Sequence, residues 1–103
     1  MEALTLKDLE TMIFIVRGHK VLLDSDLARL YEVETKALNR AVRRHLDRFP
    51  PDFMFELTAE EQESLRYQSG TLDTGRGRHR KYLPLAFTEQ GVAMLSSALR
   101  SER

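Results

Sequence analysis

The chain has 103 residues, 42% of them hydrophobic, which bounds it to one small domain with a core of its own. It holds no cysteine, which excludes a disulfide framework and a cysteine-based zinc site, and no apolar run is long enough to span a bilayer. The 16 basic and 16 acidic side chains cancel, so attraction for a charged partner has to come from where the charges sit.

Residues 1–10 read as an N-terminal extension without the basic flank and apolar core of a signal peptide, and a cytoplasmic protein is expected. Residues 11–16 are rich in β-branched and aromatic side chains, and residues 20–23 form a second apolar run. Gly18 between them can take the positive φ of a tight turn, so residues 11–23 are predicted as a β-hairpin. Asp24, Ser25 and Asp26 offer oxygens to cap a helix whose inner face holds Leu27, Ala28, Leu30 and Tyr31. Thr35 is placed as the cap of a longer second helix. At about 100° per residue, Leu38, Ala41, Val42 and Leu46 gather on one side, and Lys36, Asn39, Arg40, Arg43 and Arg44 on the other.

Pro50 and Pro51 end that helix, and Phe53, Phe55 and Leu57 then alternate as in a half-buried strand. Thr58-Ala59-Glu60-Glu61 is a capping box opening an acidic helix to about Gln68, and Glu56, Glu60, Glu61 and Glu63 read as a solvated acidic face. Residues 69–79, with Gly70, Gly75 and Gly77, read as an exposed loop, and residues 80–87 as a strand with Pro84 at an edge or end. Thr88 caps a last helix in which Val92, Leu95 and Leu99 share a face. These elements predict an α+β domain with an N-terminal hairpin, a helix-turn-helix-like pair, further short strands and flanking helices. Its expected core is Ile13, Ile15, Leu22, Leu27, Leu30, Leu38, Val42, Phe53, Phe55, Leu83, Phe87, Val92 and Leu95.

A helix buried on one face and basic on the other suits a DNA groove. Arginine can bridge guanine O6 and N7, and asparagine can pair with adenine N6 and N7. The charges are segregated accordingly. Residues 36–48 carry five cations against Asp47, and residues 76–81 carry four (Arg76, Arg78, Arg80, Lys81) and no acid, so the rest of the chain is net negative. The 76–81 cluster suits phosphates or a minor groove. Alone, either basic element also reads as a solvated face, and it is the pair that favours DNA. Catalysis and cofactors find no support. His19, His45 and His79 lack metal-ligand spacing, Asp24 and Asp26 are explained by capping, and Ser96 and Ser97 have no nearby base. His45 is expected as a hydrogen-bonded histidine at the edge of the core.

The blocks at residues 17–24, 26–31, 33–39, 48–57 and 82–95 (RGHKVLLD, DLARLY, VETKALN, RFPPDFMFEL and YLPLAFTEQGVAML) strongly resemble the KilA-N-related "ORF-six N-terminal" domain of phage and bacterial proteins. The resemblance covers nearly the whole chain and implies a small mixed α/β DNA-binding domain over residues 11–103. Such domains sit at the N-terminus of phage-borne regulators, antirepressor-like ones among them, ahead of a variable C-terminal module. Members commonly carry glycine where Glu32 stands, and residues 70–79 match the family's variable loop. The expectation is therefore a non-catalytic domain binding double-stranded DNA in phage or prophage gene regulation. The alternative is an interaction module docking a repressor or a second subunit through the acidic helix or the C-terminal helix, as a homodimer in the latter case.

Overall fold

The computed structural model describes residues 10–69 and 83–101. Strands β1 (Phe14–Val16) and β2 (His19–Leu23) pair antiparallel with Val16 opposite His19, so the turn is the two residues Arg17-Gly18. Both have positive φ, 53° and 79°, the type I′ pattern whose twist matches that of the flanking strands. Gly18 takes this conformation freely, whereas Arg17 is strained there. Contacts of its side chain offset the strain. The guanidinium makes a bidentate pair with Glu61, Nε to Oε2 at 2.8 Å and Nη2 to Oε1 at 3.0 Å, and lies 4.2 Å over the Phe55 ring.

The hairpin opens a four-stranded antiparallel sheet of order β1-β2-β4-β3, with β3 spanning Met54–Glu56 and β4 Leu85–Phe87. Helices α1 (Asp24–Tyr31), α2 (Thr35–Arg44), α3 (Ala59–Ser69) and α4 (Glu89–Ser101) complete the described elements, and residues 10–12 are helical. Both faces of the sheet are covered. Leu22, Met54 and Phe87 point into one core with Leu27, Leu38, Val42 and Leu95 from α1, α2 and α4, where Phe49 meets Phe87 edge to face at 6.0 Å. Val21, Phe55 and Ala86 point the other way, against Leu65 of α3.

Local capping follows the sequence at two of these helices. At α3 the capping box is reciprocal, with Glu61 N–H donating to Thr58 Oγ1 at 3.1 Å and Thr58 N–H donating to Glu61 Oε1 at 2.8 Å. Thr88 caps α4, and its hydroxyl and N–H also hold the Asp52 and Phe53 carbonyls. The other two caps differ from expectation. The residue before α1 is Leu23 and the residue before α2 is Glu34, neither capping through its side chain. Asp24 is instead buried inside the first turn of α1, where its carboxylate accepts from Ser25 N–H at 2.7 Å and from Leu85 N–H at 3.3 Å. It thereby continues the β2–β4 pairing with a side chain and ties α1 to the sheet.

Several packing expectations are corrected. Thr11 and Met12 are helical rather than strand, and Ile13 and Ile15 are 42% and 52% exposed, while Met12 and Val16 are buried. The inward set is one residue out of step with the expected one, which exchanges the faces. Phe53, Phe55, Leu22, Leu30, Leu83 and Val92 are half-buried, and Met54, Leu57, Phe49 and Ala98 take buried positions. Helix α2 stops at Arg44, and Leu46 lies in a following 3₁₀ turn, 57% exposed. The strand expected at residues 80–87 is β4 at Leu85–Phe87, and residues 80–82 lie outside the described residues.

Glu61, expected on a solvated face, is held by Arg17 as well as by the expected capping contact with the Thr58 N–H, and the two lower its pKa from the ordinary 4.5 to about 2. A carboxylate with a depressed folded-state pKa stabilises the fold above its unfolded pKa, and that contribution is lost as pH falls through about 2. Glu61→Gln keeps a capping side chain but removes the charge. Urea titrations should find wild type more stable than this variant at pH 7, with the gap closing between about pH 4.5 and 2. A gap independent of pH would show that the charge contributes nothing.

A basic helix in a helix-turn-helix pair

Helix α1 ends in a Schellman motif. Val33 N–H reaches Ala28 C=O at 2.9 Å and Glu32 N–H reaches Arg29 C=O at 3.2 Å, with Glu32 left-handed at φ 59°, ψ 44°. The sequence puts glutamate where this geometry favours glycine. Glu32→Gly is expected to raise stability by about 0.5–1 kcal/mol, the relief of left-handed strain less the added chain entropy of glycine. A higher urea midpoint at unchanged slope would show it. A lower midpoint would mean the side chain makes a stabilising contact that outweighs the strain.

The turn Glu32-Val33-Glu34 leads straight into α2, which returns across α1 through buried Leu38, Ala41 and Val42. Ala28, 2% exposed, provides the small side chain that close approach of the two helices requires. The opposite side of α2 carries Lys36, Arg40, Arg43 and Arg44, all exposed, and the helix contains no acidic residue. At about 100° per residue Arg40 lies near the middle of that face, with Lys36 and Arg43 to one side and Arg44 to the other. The two nearest turn acids, Glu32 and Glu34, are also exposed, which confines the positive surface to the helix itself.

Asn39 sits differently from the cations. It is half-buried at the edge of the face, and its Oδ1 is enclosed without a hydrogen-bond partner. The amide has to turn outward before it can make a bidentate contact with a base. Arg76, Arg78, Arg80 and Lys81 lie outside the described residues, so the structure brings together Lys36, Arg40, Arg43 and Arg44, with Asn39 at their margin. His45 is half-buried at the end of α2, and Ser96 bonds the Tyr31 hydroxyl.

One feature of this region is absent from any local reading of the sequence. The last turns of α4 lie beside α2 and enclose a groove of about 540 Å³, floored by Val33, Ala37, Ala41 and Leu99 and edged by Arg40, Arg44 and Arg100. Arg100 stands on α4 rather than on the α2 face, and reaches the groove only through tertiary packing. Among the described residues no group of three or more His, Cys, Asp or Glu side chains is arranged to hold a metal ion, and no helix is long and apolar enough to cross a membrane.

Fold and site together define a small α+β domain that displays one cationic helix from a helix-turn-helix-like pair. The chain belongs to the ORF6N domain family, whose pattern matches residues 11–98. No curated relative and no solved structure matches it.

Proposed function

We propose that this domain binds double-stranded DNA without catalysing a reaction and without a cofactor, as the DNA-contacting part of a phage or prophage regulatory protein of antirepressor type acting in the cytoplasm. The observation that carries the reading is the face of α2. Four exposed cations share it, among the described residues the helix itself contributes no carboxylate to it, and the opposite face is locked into the core. ORF6N membership supports the regulatory setting. Arg76, Arg78, Arg80 and Lys81 are assigned to phosphates as a second element.

Neutralising phosphates releases counterions, so affinity should fall by roughly 0.9 log unit per contact for each tenfold rise in salt. With Arg40 kept for the bases, three phosphate contacts from α2 (Lys36, Arg43 and Arg44) give a slope of about 2.7, and the 76–81 cluster steepens it. Fluorescence anisotropy on a labelled duplex at two salt concentrations measures this slope. No salt-sensitive binding at low ionic strength would refute the DNA reading.

A further inference from the structure

We propose that the groove between α2 and the end of α4 docks an acidic amphipathic helix of a partner protein, and that this docking displaces DNA from α2. The second half rests on the DNA reading above, whereas the docking itself does not. The groove has a volume of about 540 Å³ and lies half open to solvent. Its floor is apolar, exposed at Val33 and Ala37, half-buried at Leu99 and buried at Ala41. Val33 follows the α1 cap, where such a residue usually folds back onto its helix, yet it stays 39% exposed. Ala37 is exposed and presents almost no side chain, so a second helix can approach α2 closely there, whereas Ala41 is buried. The hydroxyls of Tyr31 and Ser96, which also line the groove, are bonded to each other.

Charge complementarity fixes the chemistry of the occupant. Among the described residues, three arginines and no carboxylate line the groove. A sugar–phosphate backbone would satisfy the arginines but bring nothing apolar to bury Val33 and Leu99. A helix with leucine-like anchors at i, i+4 and i+7 and flanking Glu or Asp satisfies floor and rim together. Arg40 and Arg44 belong to both the groove and the DNA-facing side of α2. They cannot hold carboxylates and phosphates at once, so the two ligands compete.

The test uses the full chain and a short synthetic helical peptide carrying leucines at i, i+4 and i+7 flanked by glutamates. Its controls replace either the leucines by serine or the glutamates by glutamine. In amide NMR titrations the parent peptide should shift Val33, Ala37, Ala41 and Leu99 saturably, and each control should bind at least about fivefold more weakly. Arg100→Ala should weaken the parent peptide by a similar factor while changing duplex affinity less than twofold, and excess peptide should release labelled duplex. Shifts elsewhere on the domain would overturn the proposal. So would a serine control that binds as well as the parent, which would mean bare charge attraction, or an Arg100→Ala variant that loses duplex and peptide alike, which would assign the groove to DNA. Groove binding by the peptide with no duplex binding in any condition would leave docking standing and remove the DNA reading.

Discussion

Gly91→Ala is expected to destabilise the fold by about 3 kcal/mol or more, at the upper end of what overpacking costs. A Cβ built on Gly91 falls 1.9 Å from the Phe53 carbonyl oxygen and 2.8 Å from its carbon, both of them backbone atoms. That oxygen cannot step aside cheaply, because it accepts from the Thr88 N–H at 3.0 Å and the Thr88 hydroxyl at 3.2 Å. Those bonds clamp the N-terminus of α4 onto the bend before β3. Relieving the clash means lifting α4, and with it Leu95 and Ala98, from the main core. For a domain of this size the midpoint of thermal unfolding should drop by roughly 15–20 °C. Gly18→Ala provides the contrast: positive φ but nothing within 4 Å, hence strain alone and about 1 kcal/mol. Calorimetry on both variants separates the two causes. A Gly91→Ala midpoint within a few degrees of wild type would mean that α4 does not approach Phe53 this closely.

Gly91 also marks the boundary of what the sequence reveals. Nothing around it distinguishes it from any helical glycine, because the atom it must avoid belongs to Phe53, far away in the chain. Features closed within a few residues were legible: the turn at Gly18, the capping box at Thr58, the cap at Thr88 and the two-faced pattern of α2. Where residues of both parities are apolar, alternation cannot choose a face, and this is how Ile15 and Val16 exchanged roles. The same limit applies at β3. A sheet covered on both sides buries Met54 in one core and places Phe55 against the other, so period-two reasoning has nothing to select. Asp24 passed for a local cap because its second partner, the Leu85 N–H, lies 61 residues away. At the site, periodicity exposed the cations of α2, but Arg100 and the groove depend on where α4 comes to rest.

The largest functional effect is expected from Arg40→Ala, and it should concern which DNA is bound more than whether DNA is bound. Arg40 stands near the middle of the exposed face of α2, sixth of its ten residues, next to the N-terminal half that reaches deepest into a groove in such a helix. Losing a bidentate arginine–guanine contact costs about 1–3 kcal/mol at the preferred base, roughly 5- to 150-fold. Asn39 is the weaker candidate for the same task, since its enclosed Oδ1 has to be turned out first. Arg44, Arg78 and Arg80 are expected to hold phosphates. Alanine at any of them should weaken all duplexes alike and flatten the salt slope by about 0.9. Arg40→Lys sharpens the distinction, because it keeps the charge but loses the planar fork: nonspecific affinity should return without sequence preference. Binding-site selection on wild type, followed by anisotropy on the selected duplex and its single-base variants, gives both quantities for each protein. If folded Arg40→Ala kept wild-type affinity and preference, α2 would not be the reading helix. The contact surface would then have to be sought at the hairpin turn, where His19 and Lys20 are exposed, together with the 76–81 cluster.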